Sequence, residues 1–484
     1  MEPRISHAHS PLPSGVPSTP ARLSADDRHA GRGVVMAFLD SGFFPHPDLT
    51  SPENRIVAFH ALEAPGRALD PERDPDDSDW HGTQTSVVAA GSGFLSGGVY
   101  RGLAPEARLV LVKVGRGGRI GDADLARALE WILAHHERYG IRVVNVSLGA
   151  DRDAPLSENR VNRLAEEVVS RGIVLVAAAG NSGCTDRPHS LPPATAPSAI
   201  TAGGYDDSGD PSLSRLSLYC SSFGPTADGL SKPELIALAS GVAAPILPRT
   251  AAYRRAVALS RLMAAPDAIL PALLEDLREE GVDLPALAGS PADGVRRWAR
   301  ETASREKLVA AHYQRVDGTS FAAPIVSAVV AQMLEANPAL TPAAVKHLLA
   351  RTAGRIPGLP VERQGSGVLD ARRAVEAALW ERHGGSATAF GGPRIAGRSL
   401  LFSYHDDAAA RVSVVGDFNG WNPGRAPLAR DSDGVWRAEV PLPPPGRYRY
   451  KLFVDESRWV EDPDNGARVP DPYGAFDSVI EIPA

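Results

Sequence analysis

Short apolar runs separated by helical patterns organise most of the chain. Continuous apolar runs are typical of strands buried on both faces, and they lie at Val34 to Leu39, Leu109 to Val114, Val143 to Leu148 and Ile173 to Ala179. Patterns with helical spacing lie between them, for example at Asp122 to Tyr139 and Val161 to Ser170. Strands alternating with helices predict an α/β domain over residues 34–382, with a parallel sheet covered by helices on both faces.

This pattern changes at several places. Between about residues 243 and 314 the chain is rich in Ala, Leu and Arg and shows no strand pattern, so we expect a helical insertion. Residues 383–397 are rich in Gly, Ser and Ala and are expected to form a linker. Residues 398–484 show short alternating strands and turn residues, which predict a small all-β sandwich. Residues 1–33 are expected to form a flexible N-terminal arm.

Composition excludes several classes of protein. With 484 residues the chain exceeds one ordinary hydrophobic core, so more than one domain is expected. The net charge of −7 argues against broad nucleic-acid binding. No apolar run reaches the roughly 18 residues that a membrane span needs, and no signal peptide is recognisable. We therefore expect a cytoplasmic protein that binds neither membrane nor nucleic acid, with secretion as the alternative.

Three residues in suggestive contexts point to nucleophilic catalysis. Asp40 follows the first apolar strand, while His81 and Ser320 each open a helix. A serine hydroxyl is a weak nucleophile until a base such as histidine takes its proton, and a carboxylate holds that histidine in one tautomer. Unpaired N–H groups in the first turn of a helix favour developing negative charge. A cap or turn role would explain any one of these residues alone.

The motifs around these residues carry a family resemblance. Asp40, His81 and Ser320 follow one another in the order and sequence context of the subtilisin-like serine proteases, the subtilases. Residues from about 34 to 380 resemble that family. Further blocks agree in the same order: Asn145 to Gly149, Ala178 to Gly183, Ser221 to Pro225, Lys232 to Glu234 and Gly365 to Ala371.

The resemblance implies a role for each matching residue. Ser320 is expected to attack the peptide carbonyl, His81 to act as general base and then general acid, and Asp40 to orient His81. Asn181 is expected to donate its side-chain amide to the oxyanion. The resemblance also implies substrate-binding residues: Gly117 and Gly118 on an edge that pairs with extended substrate, and Ser147, Leu148, Gly149, Ala178, Ala179 and Gly180 in the walls of the specificity pocket. No cofactor is required for this chemistry.

Several features depart from the family pattern or leave alternatives open. Gln84 stands where the family often has a second histidine, and Phe321 replaces a frequent methionine. The helical insertion is either a surface layer or a lid over the cleft. The acidic loop from Asp70 to Asp79 is either a solvated loop or a structural calcium site. Cys184 and Cys220, the only cysteines, are by default two thiols, with one bridge as the alternative.

The C-terminal region carries a second resemblance. The segments Val412 to Trp421 and Tyr448 to Trp459 resemble the family 48 carbohydrate-binding modules, which are immunoglobulin-like β-sandwiches, and in particular the glycogen-binding domain of the AMP-activated kinase β subunit. The resemblance implies an α-glucan platform formed by Trp421, Lys451 and Trp459, with Tyr473 and Asp477 beside it. Indole rings stack on the C–H faces of sugars, which is the physical reason for such a platform. A purely structural sandwich is the alternative.

Taken together, the sequence predicts a serine endopeptidase acting on proteins or peptides, tethered to glycogen or another α-glucan by its C-terminal module. The alternative from another functional class is a catalytically inactive subtilase-like scaffold that binds carbohydrate or protein.

Overall fold

The structure is a computed structural model. It describes residues 16–25, 27–115, 120–208, 216–285, 287, 289–356, 358–382, 393–406, 409–431, 435–462, 465, 468–473 and 476–482. The chain divides into two compact units, Met1–Ala378 and Leu379–Ala484.

The N-terminal unit is built from alternating strands and helices. Its strands are β1 (Val35–Asp40), β2 (Ile56–Ala61), β3 (Arg108–Lys113), β4 (Ile141–Val146), β5 (Val174–Ala178), β6 (Ile200–Asp206), β7 (Ser217–Leu218), β8 (Gly224–Pro225), β9 (Ser231–Lys232), β10 (Leu235–Leu238), β11 (Val242–Pro245), β12 (Leu308–Ala310) and β13 (Tyr313–Val316). Its helices are α1 (Thr19–Arg22), α2 (Pro47–Thr50), α3 (Asp79–Ala90), α4 (Asp122–Tyr139), α5 (Arg160–Ser170), α6 (Ala251–Ala264), α7 (Leu270–Glu279), α8 (Ala292–Arg305), α9 (Thr319–Ala336), α10 (Pro342–Thr352), α11 (Val361–Gln364) and α12 (Ala371–Arg382), the last of which runs into the second unit.

The main sheet has the predicted parallel architecture. Its strand order is β10-β6-β5-β4-β1-β3-β2, and neighbouring strands on this path are parallel, while the short β7 pairs antiparallel with β6. Alternate β1 residues Val35, Ala37 and Leu39 pack in one core with α4 and α5. Met36 and Phe38 are also buried and point to the opposite face, where α3 and α9 contact the sheet. Helices therefore cover both faces, as the apolar runs predicted.

Helix α9 is the apolar centre of this unit. Among the described residues it is the one helix whose length and hydropathy would allow it to cross a membrane, and 89% of that stretch is buried in the protein. It packs against β4, β5, β6 and β10. Because Ser320 lies in its first turn, the residue predicted to be the nucleophile is attached to a helix that is largely buried.

The insertion is helical, but the prediction that it lacks strands is wrong. Strands β11 and β13 pair antiparallel at its two ends, with β12 beside β13. Between them α6, α7 and α8 form their own apolar core, which contains Leu259, Leu274 and Val295. The insertion thus consists of a helical layer that lies in sequence between two paired antiparallel strands. The second of these strands, β13, ends a few residues before Ser320.

The N-terminal arm is bound to the fold over its described part, which corrects the expectation of flexibility for residues 16–25 and 27–33. Arg22 is almost fully buried and pairs with Asp207, with nitrogen–oxygen distances of 2.8 and 2.5 Å. It also donates to the carbonyls of Ser240 and Gly241. Buried charges persist only when they are paired and hydrogen-bonded, so these contacts explain why the segment stays on the protein.

The second unit is the predicted all-β sandwich. Its strands are β14 (Arg394–Ala396), β15 (Ser399–His405), β16 (Val412–Gly416), β17 (Ala429–Arg430), β18 (Val435–Pro441), β19 (Gly446–Val454), β20 (Arg458–Val460), β21 (Arg468–Pro470) and β22 (Phe476–Ile482). Two antiparallel sheets, β14-β15-β18-β17 and β16-β19-β22-β21 with β20 beside β19, enclose a core that contains Phe402, Tyr450 and Leu452. Residues 394–396 of the predicted linker are therefore strand β14, because they pair with β15, and residues 383–392 lie outside the described residues.

Candidate active site

Asp40 and His81 are brought together by the first strand and the helix after the acidic loop. Asp40 ends β1, and His81 lies in the first turn of α3. His81 Nδ1 and Asp40 Oδ1 are 2.7 Å apart. The fully buried Asp40 also accepts hydrogen bonds from the Ser41 N–H at 2.7 Å and the Thr85 hydroxyl at 3.1 Å. The carboxylate is thus held rigidly with its negative charge aimed at the imidazole.

Gly82 makes this approach of helix to strand possible. A Cβ at this position would lie 2.2 Å from the Gly42 carbonyl oxygen and 2.8 Å from Asp40 Cβ. Any side chain would therefore push α3 away from β1 and separate His81 from Asp40.

The environment of His81 favours its protonated form. Burial lowers the pKa of His81, but the charge of Asp40 and the hydrogen bond to it act in the opposite direction and outweigh burial, so the pKa is raised above 6.5. A base with this property can accept a proton from a hydroxyl near neutral pH and return it to a leaving group.

Ser320 lies in the first turn of α9. The ring of its neighbour Phe321 lies 6.0 Å from the His81 ring, measured between centroids. Gly318, just before the helix, has a φ of 139°, which favours glycine. Within the described part of the chain the Ser320 hydroxyl makes no hydrogen bond, and the ring contact of Phe321 is what relates the start of α9 to His81.

Asn181 is held next to the start of α9. Its Oδ1 accepts hydrogen bonds from both the N–H and the hydroxyl of Thr319, each at 3.0 Å. The Thr319 hydroxyl in turn accepts from the Gly180 N–H at 3.1 Å. With the oxygen engaged in this way, the exposed side-chain NH₂ group is left to donate to a ligand, as an oxyanion donor requires.

The residues predicted to form the pocket walls follow β4 and β5. Ser147 is nearly buried and donates its hydroxyl to the Ser320 carbonyl oxygen at 2.9 Å, while Gly149 is exposed. Leu148 is partly buried. Ala178 ends β5 and is half-buried, Ala179 is buried and Gly180 is half-buried. Gly117 and Gly118 lie outside the described residues.

In the C-terminal module, Trp421 and Trp459 lie side by side. Their ring centroids are 6.4 Å apart, and the Trp421 indole N–H donates to Asp417. Trp459 is half exposed and also contacts Phe453, with centroids 4.7 Å apart. Trp421 is partly buried, so the exposed apolar surface of this pair comes mainly from Trp459.

Lys451 lies on β19 and is engaged by carboxylates. It pairs with Asp471, and its Nζ lies 3.6 Å from Asp477. Asp477 also lies 3.5 Å from Arg449. Tyr473, predicted to lie beside the platform, is 93% exposed.

Comparison with known proteins fits this geometry. Residues 31–371 match the model of the subtilase family. The chain belongs to the subtilase family. Residues 390–474 match the model of carbohydrate-binding module 48, described as the isoamylase N-terminal domain. Both resemblances seen in the sequence are therefore confirmed.

Individual relatives agree with this assignment. This subtilase is similar to the serine protease AprX of Bacillus subtilis, with 30% identity over 352 residues that cover 71% of the chain and 66% of AprX. It is also similar to subtilisin BL of Lederbergia lenta, with 32% identity over 196 residues that cover 40% of the chain and 64% of subtilisin BL. The matched region thus spans slightly under two thirds of either relative.

Among solved structures, fervidolysin from Fervidobacterium pennivorans, a keratinolytic enzyme related to subtilisin, matches with a TM-score of 0.51 and 19% identity. The match covers 96% of this chain and 57% of fervidolysin, and at this identity it shows the fold alone.

The sequence analysis assigned no individual role to two polar residues of the site, Asn145 and Ser327. Asn145 donates to the Ser147 hydroxyl at 3.0 Å and accepts from the Ser327 hydroxyl at 2.9 Å. These bonds connect the end of β4 to α9, the helix that begins with the turn of Ser320. An asparagine inside an otherwise apolar strand was the available signal for this role, because a buried amide needs partners.

Leu191 was also missed. It is 37% exposed, and a Cβ on Gly149 would lie 3.6 Å from Leu191 Cβ, so it borders the predicted pocket wall. Its segment, unlike the catalytic motifs, offered no recognisable pattern.

The acidic loop uses its carboxylates within the protein. Arg73 pairs with Asp79 at 2.7 Å and with Asp76 at 3.7 Å, and Asp76 also accepts from Ser78. Across the described ranges, no cluster of three or more His, Cys, Asp or Glu side chains is placed to hold a metal ion.

Cys184 and Cys220 form a disulfide, which replaces the default expectation of two thiols. The bridge joins the loop after Asn181 to the residue before Ser221. Ser222, one residue further, accepts from the Ser182 N–H and donates its own N–H to the Gly180 carbonyl. The loop that carries Asn181 is thus fixed at several points.

Proposed function

We propose that this subtilase is a serine endopeptidase with Ser320 as the nucleophile, His81 as the general base and Asp40 as the residue that orients His81. The observation that carries the proposal is the 2.7 Å contact between His81 and Asp40 beside the first turn of α9. The raised pKa of His81 supports the role of a base that cycles between neutral and protonated forms.

The reaction follows from these positions. The Ser320 hydroxyl adds to the scissile carbonyl while its proton passes to His81 Nε2, and Asp40 stabilises the imidazolium. The oxyanion receives hydrogen bonds from the Asn181 amide and the Ser320 N–H, which lies in the first turn of α9, where N–H groups lack intrahelical partners. His81 then gives its proton to the leaving amine, and the acyl-enzyme forms. Water, deprotonated by His81, releases the second product and restores Ser320.

Cleavage of unstructured protein by purified enzyme tests the proposal. Hydrolysis of a fluorescent casein is expected for the wild type and is expected to fall by about 10⁶-fold in Ser320→Ala, the size of loss measured in a subtilisin. Equal rates in the two proteins would contradict the role of Ser320. Absence of hydrolysis in both would support the inactive scaffold instead.

We further propose that the C-terminal module binds an α-glucan through Trp421, Trp459 and Lys451. The exposed indole of Trp459 next to Trp421 supports stacking on sugar rings. Lys451 is buried and paired with Asp471 and Asp477, so it would hold the platform from within β19, and the exposed ring of Tyr473 would extend the apolar surface.

Retention of the full-length Ser320→Ala protein on immobilised glycogen tests this second proposal. Retention is expected to disappear in Trp459→Ala and to persist in Ile395→Ala, a matched control because Ile395 is an exposed apolar residue of the same module. Equal retention of Trp459→Ala and Ile395→Ala would contradict the proposed glucan binding.

The disulfide also indicates the kind of compartment in which the protein resides. Such bridges persist in oxidising compartments and are rare in the cytosol, so Cys184–Cys220 favours the secreted alternative over the cytoplasmic expectation. Alkylation of cysteines in protein prepared under quenching conditions tests this choice: two modified cysteines would speak for a reducing compartment.

A further inference from the structure

Trp80 is a large apolar side chain left in solvent at the candidate active site. It precedes His81 in the first turn of α3, and it is 48% exposed. Its indole meets the His81 ring edge to face, with centroids 5.1 Å apart and planes at 89°. From Gly82 to Ala90, by contrast, α3 is buried.

The packing of α3 does not require an indole at this position. Asp79 is buried and is held by Arg73, and the segment after His81 packs against β1 and α9. Trp80 instead points outward, where burial in the folded chain stabilises it only in part. Single exposed apolar residues are ordinary on protein surfaces, so its contact with the general base is what distinguishes Trp80.

A second aromatic ring completes this environment. Phe321, which is 3% exposed, lies 6.0 Å from His81 with its plane tilted by 51°. The imidazole therefore has aromatic neighbours on α3 and on α9. Of these rings, Phe321 is already buried, and Trp80 is the one that retains free surface for a ligand.

We propose that Trp80 is a specificity-determining residue that contacts an apolar substrate side chain within two residues of the scissile bond. His81 must reach both the Ser320 hydroxyl and the leaving amine, so a ring in contact with it borders the reacting part of a bound peptide. Aromatic and branched aliphatic side chains gain most from burial against an indole. This inference rests on the proposed peptidase activity.

The charge around Trp80 adds discrimination against acidic substrates. Asp77, three residues earlier, is exposed, while Asp76 is balanced by Arg73 at 3.7 Å and by the charge of Lys113. A substrate Asp or Glu at the position read by Trp80 would meet negative charge, so it is expected to be disfavoured there.

A peptide-library cleavage profile tests the proposal, with kcat/KM measured for each side chain at the two positions on either side of the cut. In the wild type, one position is expected to prefer Phe, Trp and Leu. In Trp80→Ser, kcat/KM for those peptides is expected to fall about tenfold at that position only, since a pocket contact of this size discriminates by about 10–200-fold. Trp80→Phe is expected to restore most of the preference. Ile269→Ser, which alters an equally exposed residue on the insertion, serves as the control and is expected to match the wild type.

These outcomes distinguish failure of the specificity role of Trp80 from failure of the proposed peptidase activity. Labelling of each variant with a small fluorophosphonate reports a folded, reactive Ser320 without reading substrate side chains. A reactive Trp80→Ser protein whose profile equals that of the wild type at every position overturns the inference alone. A wild type that neither labels nor cleaves overturns the peptidase assignment and this inference with it. If Trp80→Ser does not fold, an unchanged profile in Trp80→Lys overturns the inference.

Discussion

The Gln84 side-chain amide donates a hydrogen bond of 3.0 Å to the carbonyl oxygen of Pro245, and so joins the helix of His81 to the first strand of the insertion. Both groups are buried. On the same side, the Arg249 guanidinium reaches the Glu72 carboxylate in the acidic loop before α3, at 3.1 Å. The insertion is therefore linked to helix α3, which carries His81, the proposed general base.

Loss of this link is expected to destabilise the protein. In Gln84→Leu the buried Pro245 carbonyl loses its donor, which should lower the free energy of unfolding by about 1–3 kcal/mol. Urea unfolding measures the difference, and hydrogen exchange of the Ala244 and Ile246 amides shows whether opening begins at β11. An unchanged midpoint together with unchanged exchange would contradict a structural role for the contact.

The pH dependence of activity follows from the environment of His81. As a base His81 acts only when neutral, so kcat/KM falls as the pH drops through its pKa. Because Asp40 raises that pKa in spite of burial, half-maximal kcat/KM on the acidic limb is expected above pH 6.5. The same shift stabilises the fold below the unfolded-state pKa, and this contribution is lost as the pH rises through the folded-state value.

The variant Asp40→Asn tests the cause of this shift. Its acidic limb is expected to move to lower pH, with a fall in kcat of about 10⁴-fold, the size seen for the corresponding change in trypsin. If the acidic limb of the pH profile lies at the same pH in Asp40→Asn as in the wild type, Asp40 does not set the pKa of His81.

The buried Lys232 and the mostly buried Glu234 form an ion pair between β9 and β10, at an edge of the main sheet. Lys232 Nζ contacts Glu234 at 2.7 Å and the carbonyls of Ala196 and Ala199, and Lys346 also contacts Glu234 at 2.7 Å. Burial lowers the pKa of Lys232, while the two lysines hold the pKa of Glu234 below its usual value in spite of burial.

Removal of the carboxylate is expected to leave a buried charge without its partner. Glu234→Gln should lower the free energy of unfolding by about 3–5 kcal/mol. Glu106→Gln breaks an exposed pair with Arg32 and should change the stability far less, because solvent screens exposed charges. Thermal or urea unfolding of both variants provides the comparison, and equal small losses would show that the buried ion pair is not needed for stability.

The Cys184–Cys220 bridge closes a loop of 36 residues that includes part of the pocket region. Closing a loop of this length stabilises the folded protein by about 3–4 kcal/mol, because it restricts the unfolded chain. The double variant Cys184→Ser/Cys220→Ser is therefore expected to unfold at lower urea concentration than the oxidised wild type, and to match the reduced wild type. Equal stability of oxidised and reduced protein would contradict this expectation.

Local patterns in the sequence indicated the main sheet and the order of the candidate catalytic residues. A buried parallel strand is apolar on both faces, so Val34 to Leu39 predicts β1 without knowledge of its neighbours. The contexts of Asp40, His81 and Ser320 are equally local. Their relative placement depends on the fold, and the structure supplies it for Asp40 and His81 as a direct contact.

Features that depend on distant partners could not be predicted in this way. Arg22 is buried because Asp207, 185 positions away, receives it. Strand β11 has the unremarkable sequence Val-Ala-Ala-Pro and exists because β13, some seventy positions later, pairs with it. The surface position of Leu191 beside Gly149 likewise comes from tertiary structure alone.

Mass-spectrometric mapping of the adduct formed with a fluorophosphonate tests the central assignment most directly. The account predicts one adduct per chain, on Ser320, and its loss in His81→Ala, because the hydroxyl needs that base to react. An unmodified wild type, modification at another residue, or undiminished modification of Ser320 in His81→Ala would contradict it.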